Sequence, residues 1–429
     1  MTYSAALDYL LTQLPMFQRT GNAALKKDLT NIRVLLGALG DPQVKFRSIH
    51  VAGTNGKGTV CHLLAAALQA HGYRVGMYTS PHYRDFRERI KINAEFIPEA
   101  EVVRFVSWYR EQEWDIQPSF FELTVAMAFD YFARQAPDYV IVEVGLGGRL
   151  DSTNVITPLL SVITNIGLDH TEMLGETLPE IAFEKGGIIK PGVPVVVGEH
   201  DPETAPVFTD LARSGRSQLV FADRVYRISR EESADGQSAH AISLPGTERA
   251  FTFTTDLGGP HLPKNLLTAY VALLALAGEA FTPVAESIRH GWRAVARETY
   301  YLGRWQVLRE KHPRVIADSA HNAEGLQPVT AALRRMDGPL HIVLGVVREK
   351  DLSRALPLFP EAATYYFVKA DIPRGLPADE LRYAAAEAGL SGRTYPSVVA
   401  GYRAAVAAAR EGGGTVFVGG SIFTVAEVV

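Results

Sequence analysis

Short apolar runs alternate with longer helical stretches, and this alternation constrains the fold more than any other feature of the chain. The runs are RSIHVA (47–52), RVGMYTS (74–80), YVIVEVG (139–145), LLSVITNIG (159–167) and VPVVVG (193–198). Between them lie segments with helical spacing, such as TVCHLLAAALQAHG and SFFELTVAMAFDYFARQ. Strands that alternate with helices predict a mainly parallel sheet covered by helices on both faces.

A second alternating series begins near Arg314, after the pattern changes in the middle of the chain. Short alternating runs between about Leu219 and Thr255 predict a small antiparallel sheet, and an alanine-rich helix is expected at 264–280. At 429 residues, the chain is longer than one hydrophobic core usually supports. We therefore predict two α/β domains, a larger one at 1–297 and a smaller, Rossmann-like one at 298–429.

Composition and charge exclude several functional classes. A net charge of -4 and a pI near 6.3 give no general attraction to nucleic acid or to anionic membranes. The first residues carry no basic and apolar signal pattern, and no apolar stretch approaches membrane-spanning length. A single cysteine, Cys61, excludes an internal disulfide framework and a cysteine-based zinc cluster. We expect a cytoplasmic, monomeric protein that acts on small molecules, without nucleic acid or membrane partners.

The stretch VAGTNGKGTV (51–60) lies between a predicted strand and a predicted helix, as phosphate-binding loops do. Its glycines let the backbone approach a phosphate closely, and Lys57 supplies a positive charge. It departs from the pattern G-x-x-x-x-G-K-[ST], because valine stands at the first glycine and Gly58 follows Lys57. An ordinary glycine-rich turn is the alternative. Thr59 could bind phosphate or cap the helix, so the loop alone leaves the metal ligand open.

Polar residues stand at or after the ends of three other predicted strands: Ser80 in TSPH, Glu143 in VEVG and His170 in GLDH. In a parallel sheet these ends meet at one edge, where ligands bind. A carboxylate in an apolar strand is costly to bury unless it is paired or binds a metal, and this donor set suits magnesium. A turn role for Ser80 and a structural role for His170 are the alternatives. Lys185, in FEKGGIIKPG, is by default expected at the surface.

The second predicted domain has candidate phosphate-binding residues of its own. Arg304 lies in LGRW near the domain boundary, and Asp318 ends a strand in RVIADSAHN, with His321 shortly after it. Arg304 could neutralise a transferring phosphate, and its alternative role is a surface ion pair. Asp318 could instead cap the next helix. The segment NIGLD lacks the lysine of the guanine-binding pattern N-K-x-D, which favours ATP over GTP.

Together these segments resemble the folylpolyglutamate synthase/dihydrofolate synthase family, a branch of the Mur ligase superfamily. The matching segments are HVAGTNGKGT, YTSPH, ERIKIN, FFELTVAMAF, VEVGLGGRLDSTN, TNIGLDHTEMLG, EKGGIIKPG, HLPKNLLTA, GRW, DSAHN and VFVGGSIFTVAEV. The loop with glycine after lysine is itself the form found in this family. The resemblance implies that the first domain is a P-loop-containing, mainly parallel sheet domain of the Mur ligase central-domain type.

The resemblance implies ATP- and Mg²⁺-dependent joining of L-glutamate to dihydropteroate or to a reduced folate, through an acyl phosphate. The catalytic residues would be Lys57, Lys185, His170 and Glu143. The metal ligands would be Ser80, Glu143, His170 and Lys185, the last as a carbamate. The ATP contacts would be Gly53, Thr54, Asn55, Gly56, Lys57, Gly58, Thr59, Asn265, Arg304, Asp318 and His321. The pterin substrate would contact Phe121, Glu122 and Asp151, although Ser119 and Glu122 also fit a helix capping box.

The chain departs from the family's usual pattern in three places. Thr59 replaces a serine and keeps the hydroxyl. Ala94 replaces a glycine, and DSAHNA replaces DGAHNP; these two changes affect local loop geometry. Two other functions are weighed against the family's: a Mur-type ligase that extends a cell-wall precursor, and a nucleotide-binding switch without ligase chemistry. The sequence leaves open which of the family's two reactions is catalysed, because both need the same phosphate and metal groups.

Overall fold

The chain forms two compact units in a computed structural model, which describes residues 1–15, 28–232, 238–277, 285–348 and 351–429. The first unit contains Met1–Asp256 and Pro263–Tyr300. The second contains Leu257–Leu262 and Tyr301–Val429. Within the described ranges, no helix is long and apolar enough to span a lipid bilayer.

The first unit is built on a large, mainly parallel sheet. The strands of this unit are β1 (Ser48–Ala52), β2 (Val75–Tyr78), β3 (Ile90–Ile92), β4 (Glu95–Phe96), β5 (Tyr139–Glu143), β6 (Leu160–Ile163), β7 (Val195–Val197), β8 (Leu219–Phe221), β9 (Arg227–Glu232), β10 (Ser238–Ser243) and β11 (Ala250–Thr255). The large sheet has the order β4-β3-β2-β5-β1-β6-β7-β8, with β3 and β4 forming an antiparallel hairpin at one edge. Strands β9 to β11 form a separate antiparallel sheet, where the sequence predicted one, while β8 belongs to the large sheet.

The helices of this unit pack against its sheets and against one another, and apolar side chains fill the space between. They are α1 (Tyr3–Asp8), α2 (Thr30–Ala38), α3 (Lys57–Ala70), α4 (Glu99–Arg110), α5 (Phe120–Gln135), α6 (Thr171–Leu174), α7 (Leu178–Gly186), α8 (Ala205–Gly215), α9 (Ala222–Val225), α10 (Leu262–Leu276), α11 (Ala285–Trp292) and α12 (Val295–Thr299). Every residue of β1, β2, β5 and β6 is buried, as expected for central strands of a covered parallel sheet. Residues 278–280, the predicted end of the alanine-rich helix, lie outside the described residues.

The second unit has its own sheet and apolar core. Its strands are β12 (Gln306–Arg309), β13 (Arg314–Asp318), β14 (Leu340–Leu344), β15 (Thr364–Phe367), β16 (Gly392–Thr394) and β17 (Thr415–Gly419). Its helices are α13 (Ala323–Leu333), α14 (Leu352–Ala355), α15 (Ala378–Glu387), α16 (Val398–Gly412) and α17 (Ile422–Ala426). The sheet order is β12-β13-β17-β14-β15-β16, and only the β12–β13 pair is antiparallel among the described pairings. The predicted fold class, a mainly parallel α/β sheet followed by a second α/β sheet, is confirmed.

A two-residue turn joins β3 to β4 at one of the positions where the chain departs from the family's pattern. Ile92 pairs with Glu95, so Asn93 and Ala94 form the turn, with φ angles of 47° and 65°. Both angles lie in the left-handed region, which glycine adopts without strain and alanine does not. Alanine at position 94 therefore retains the hairpin at a cost in backbone energy.

Candidate active site

Four neighbouring strands of the large sheet, β2, β5, β1 and β6, run parallel and end at the same edge. Ser80 follows β2, and Glu143 is the last residue of β5. The glycine-rich loop follows β1, and the segment that leads to His170 follows β6. The sequence prediction that these polar groups share one sheet edge agrees with this strand order.

The glycine-rich loop is held by the segment that follows β6. The backbone N–H of Thr54 donates to the carbonyl oxygen of Asn165 at 2.9 Å, and the N–H of Asn55 donates to Asn165 Oδ1 at 2.9 Å. Thr164 Oγ1 donates to the carbonyl oxygen of Asn55 at 2.6 Å. Neither Thr164 nor Asn165 was predicted from the sequence as a site residue. The sequence does contain a signal for them. Two polar residues directly follow the apolar strand β6, which ends at the same edge of the sheet as the glycine-rich loop.

Close approach of other groups requires glycine at two positions of this loop. A Cβ at Gly53, which has a φ of 142°, would lie 1.9 Å from Thr164 Oγ1. A Cβ at Gly56, with a φ of 84°, would lie 2.2 Å from Asn265 Oδ1. The structure thus brings the predicted ATP ligand Asn265 against the loop. Because α3 begins directly afterwards at Lys57, its N-terminal N–H groups and dipole favour an anion here.

Two lysines meet on this loop. Lys57 Nζ donates to the carbonyl oxygens of Gly53 and Thr54 at 2.9 and 3.2 Å, and Lys185 Nζ donates to the same Gly53 oxygen at 3.1 Å. Lys185 is only 4% exposed, so the default expectation of a surface lysine is wrong. Burial and, secondarily, the charge of Lys57 lower the pKa of the Lys185 amine to about 7. A large share of this amine is therefore neutral near physiological pH.

A buried carboxylate lies beside the start of α3. Glu143 is 4% exposed, and its Oε2 accepts a hydrogen bond from the backbone N–H of Ser80 at 2.9 Å. A Cβ at Gly58 would lie 3.7 Å from Glu143 Oε1, so the first helical turn faces this carboxylate. A buried carboxylate beside a helix N-terminus that favours an anion is a donor that fits Mg²⁺, which prefers oxygen ligands and retains phosphate and water.

His170 lies on the segment after β6 in a left-handed conformation, with a φ of 53°. Its backbone N–H donates to Asp169 Oδ1 at 3.0 Å, and its Nε2 lies 3.9 Å from Asp169 Oδ2. In the part of the chain that the structure describes, no three His, Cys, Asp or Glu side chains group together as a metal site. Only Glu143 and His170 of the predicted set are residues of these types. The ligand set Ser80, Glu143, His170 and Lys185 therefore stays a prediction.

The predicted substrate residues Phe121 and Asp151 lie together at Gly145. A Cβ at Gly145 would lie 2.4 Å from Phe121 Cζ and 3.1 Å from Asp151 Oδ2. The Asp151 carboxylate accepts from the backbone N–H groups of Leu146 and Thr153 at 2.9 and 3.0 Å, and burial raises its pKa. These contacts hold the loop after β5 in place beside the Phe121 ring.

Glu122, the third predicted substrate residue, belongs to the N-terminal cap of α5. Its Oε2 accepts from the backbone N–H and the Oγ of Ser119 at 2.7 and 2.8 Å, and Ser119 Oγ accepts from the N–H of Glu122 at 3.2 Å. The capping box that the sequence also suggested is confirmed. A substrate contact of Glu122 stays a prediction.

In the second unit, GRW and DSAHN come together. Asp318 Oδ2 accepts from the N–H of Trp305 at 2.7 Å, and Oδ1 accepts from the N–H of Ala320 at 2.7 Å. The cap of α13 is Asn322, whose Oδ1 accepts from the N–H of Gly325 at 2.7 Å, so Asp318 does not cap this helix. The structure thus brings predicted nucleotide contacts Arg304 and Asp318 together, joined through the neighbouring Trp305.

Each of the two units contains a segment that matches the profile of a known protein family. The profile of the Mur ligase middle domain matches residues 51–273, and that of the Mur ligase glutamate ligase domain matches residues 303–422. Fold and site together therefore define the class of protein as a Mur ligase.

Individual relatives narrow the class. The folylpolyglutamate synthase of Lacticaseibacillus casei is 33% identical over 388 residues, covering 88% of this chain and 88% of the relative. The dihydrofolate synthase/folylpolyglutamate synthase of Bacillus subtilis is 34% identical over 369 residues, covering 83% and 84%. A solved structure of Escherichia coli FolC in complex with DHPP and ADP superposes with a TM-score of 0.83 at 31% identity, covering 100% of this chain and 97% of the other. The chain belongs to the folylpolyglutamate synthase/dihydrofolate synthase family.

Proposed function

We propose that this chain is an ATP-dependent ligase that joins L-glutamate to dihydropteroate, to folate polyglutamates, or to both. The observation that carries the proposal is the start of α3: Lys57 is its first residue, directly after the glycine-rich loop, and the next residue, Gly58, faces the buried carboxylate of Glu143. This arrangement provides positive charge, an anion-binding helix terminus and a magnesium-binding carboxylate in one place. The names of the relatives, and the DHPP and ADP bound by the E. coli structure, support the same reaction.

The chemistry requires activation of the acid. A carboxylate does not react with an amine at neutral pH, because oxide would have to leave. Transfer of the γ-phosphoryl group of ATP to the carboxylate gives ADP and an acyl phosphate. The amine of glutamate then attacks the carbonyl carbon, the C–N bond forms, the C–O bond breaks, inorganic phosphate leaves and the amine loses a proton. The first step brings two anions together, so positive charge at the transferring group is the main requirement.

The residues around the loop would divide this work. Lys57 and the N–H groups at the start of α3 would hold the phosphate chain, and bound Mg²⁺ would supply further positive charge. Ser80, Glu143, His170 and a carbamylated Lys185 would hold the metal. In the carbamylation step, the neutral Lys185 amine would add CO₂, forming an N–C bond, and release a proton to solvent. The resulting anionic carbamate would form an ion pair with the neighbouring Lys57 ammonium.

The remaining predicted residues would bind the substrates. Asn265, which lies against Gly56, would contact ATP with the rest of the loop. Arg304, Asp318 and His321 would complete the nucleotide contacts. The Phe121 ring and the Asp151 carboxylate, both at Gly145, would contact the pterin. In this proposal the enzyme is cytoplasmic and monomeric and acts on small molecules only.

Phosphate release tests the proposal. Purified protein with ATP and Mg²⁺ should release phosphate only when both an acid substrate and L-glutamate are present. Hydroxylamine should trap an acyl hydroxamate of the acid before glutamate is added. Competition of dihydropteroate with a reduced folate for labelled glutamate would decide which acid is preferred. Phosphate release that does not depend on the acid and on L-glutamate would rule out the proposed ligase activity. Failure to release phosphate with either acid would also rule it out.

A further inference from the structure

We propose that Ser319 is a positioning residue that sets the place of the Arg304 guanidinium for nucleotide binding. The inference rests on the proposed function and concerns a position where the family's pattern has glycine and this chain has a hydroxyl. Ser319 directly follows β13 and is 0% exposed, so it does not reach a ligand itself. Any effect of its side chain on the nucleotide must pass through the groups that it touches.

The hydroxyl of Ser319 joins two parts of the GRW turn. Ser319 Oγ donates to the carbonyl oxygen of Gly303 at 2.9 Å and accepts a hydrogen bond from Nη1 of Arg304. A serine hydroxyl has one proton, so with that proton on the Gly303 oxygen its lone pairs are left for the guanidinium. The backbone N–H of Ser319 also donates to the Gly303 oxygen, at 3.0 Å. Ser319 therefore forms hydrogen bonds both to the backbone just before Arg304 and to the end of the Arg304 side chain.

The turn that carries Arg304 is held in an unusual conformation. Gly303 and Trp305, on either side of the arginine, have φ angles of 68° and 44°. A left-handed conformation is costly for a residue as large as tryptophan and persists only where its surroundings impose it. Here Asp318 accepts the Trp305 N–H, and the Trp305 Cβ packs so closely on Gly259 that a Cβ there would lie 2.7 Å away.

Asp318 and Ser319 thus have different tasks. Asp318 and Gly259 hold the backbone on the tryptophan side, while the Ser319 hydroxyl directly contacts the arginine side chain. Arginine loses much rotamer freedom when it is fixed in one place, and a side chain already fixed before ligand binding loses less on binding. Removal of the hydroxyl should therefore weaken nucleotide binding through Arg304 while the turn itself remains.

A double-mutant cycle on nucleotide binding tests this. The variants are Ser319→Ala, Arg304→Ala and the double variant, with Thr330→Val as matched control, because Thr330 is a fully buried hydroxyl of the same unit that bonds within its own helix. Titration calorimetry with the non-hydrolysable analogue AMPPCP and Mg²⁺ gives each Kd. Ser319→Ala should bind about tenfold more weakly, as expected for a lost hydrogen bond to a charged group. In the Arg304→Ala background it should have no further effect, and Thr330→Val should bind like the wild type.

Two results would overturn the inference: wild-type affinity in Ser319→Ala, or losses that add in the double variant. A urea midpoint of Ser319→Ala far below that of Thr330→Val would assign the effect to general destabilisation and overturn it as well. Ligase turnover is measured separately. Wild-type protein that binds the analogue but never ligates glutamate would refute the proposed function, while the cycle would still decide the role of Ser319.

Discussion

Lys57 and Lys185 donate to the same atom, the carbonyl oxygen of Gly53, at 2.9 and 3.1 Å. Burial and, secondarily, repulsion by the Lys57 ammonium lower the pKa of the Lys185 amine to about 7. The neutral amine is the form that adds CO₂. The geometry of the loop thus favours the modification that the proposed metal site requires.

The proposed carbamylation of Lys185 can be tested by carbon NMR. With ¹³C-labelled bicarbonate, the wild-type protein should give a carbamate carbon signal that grows as the pH rises through about 7, because the neutral amine becomes more abundant. Lys185→Arg should lack this signal. Lys190→Arg, which changes a less buried lysine nearby in the sequence, should keep it. A signal that persists in Lys185→Arg would place the modification on another amine.

Removal of the Lys57 charge should slow the first chemical step strongly. Lys57→Ala leaves the loop's contacts with Asn165 in place but removes the ammonium group at the start of α3. We expect kcat to fall by at least about 100-fold, as for other charge-stabilising groups. Lys45→Ala, at an exposed position before β1, should retain full turnover. Substrate-dependent phosphate release measures both. Full turnover of Lys57→Ala would contradict the role of the loop.

Ala94→Gly should stabilise the protein. Ala94 has a φ of 65° in the β3–β4 turn, where glycine avoids a steric cost of about 1 kcal/mol. The gain should appear as a higher urea midpoint with an unchanged slope. As a control for the greater freedom of glycine in the unfolded chain, Ala407→Gly on the exposed face of α16 should cost about 1 kcal/mol. Destabilisation by both substitutions would show that the turn does not penalise alanine.

Sequence patterns predicted the sheet edge well, because each signal was local. Ser80 and Glu143 could be assigned to one edge from nothing more than apolar runs followed by polar residues. The structure adds the strand order β2-β5-β1-β6, which makes these strand ends neighbours. Alternating runs also sufficed for the second sheet.

The burial of Lys185 and the support of the loop by Asn165 could not be predicted in the same way. Each depends on a partner far along the chain: Lys185 reaches Gly53, and Asn165 reaches Asn55. Local periodicity carries no information about such pairs. Ser319 was visible as a departure from the family's pattern, but its partner Arg304 was not. The role of a departure becomes apparent only when the side chain that it touches is known.

His50 should make the protein less stable in acid. It is fully buried on β1, and burial together with the charge of Lys190 lowers its pKa to about 3. Thr153 Oγ1 donates to Asp151 and lies 2.8 Å from His50 Nε2, so Nε2 carries the proton and donates to it. In the unfolded chain the imidazole binds a proton below about pH 6.5. Between about pH 6.5 and 3, the unfolded state therefore binds more protons than the native state, and stability falls as the pH falls.

His50→Gln should flatten this dependence, since glutamine has an N–H donor and does not titrate. The free energy of unfolding in urea would be measured for both proteins at about pH 7.5 and at pH 5.5, one unit below the unfolded pKa. Over this interval the wild type should lose about 1.4 kcal/mol more than the variant. Other acid-sensitive groups, such as the buried His62 with its lowered pKa, act equally in both proteins and cancel in the difference. Parallel pH profiles would mean that His50 binds its proton equally well in the folded and unfolded chain.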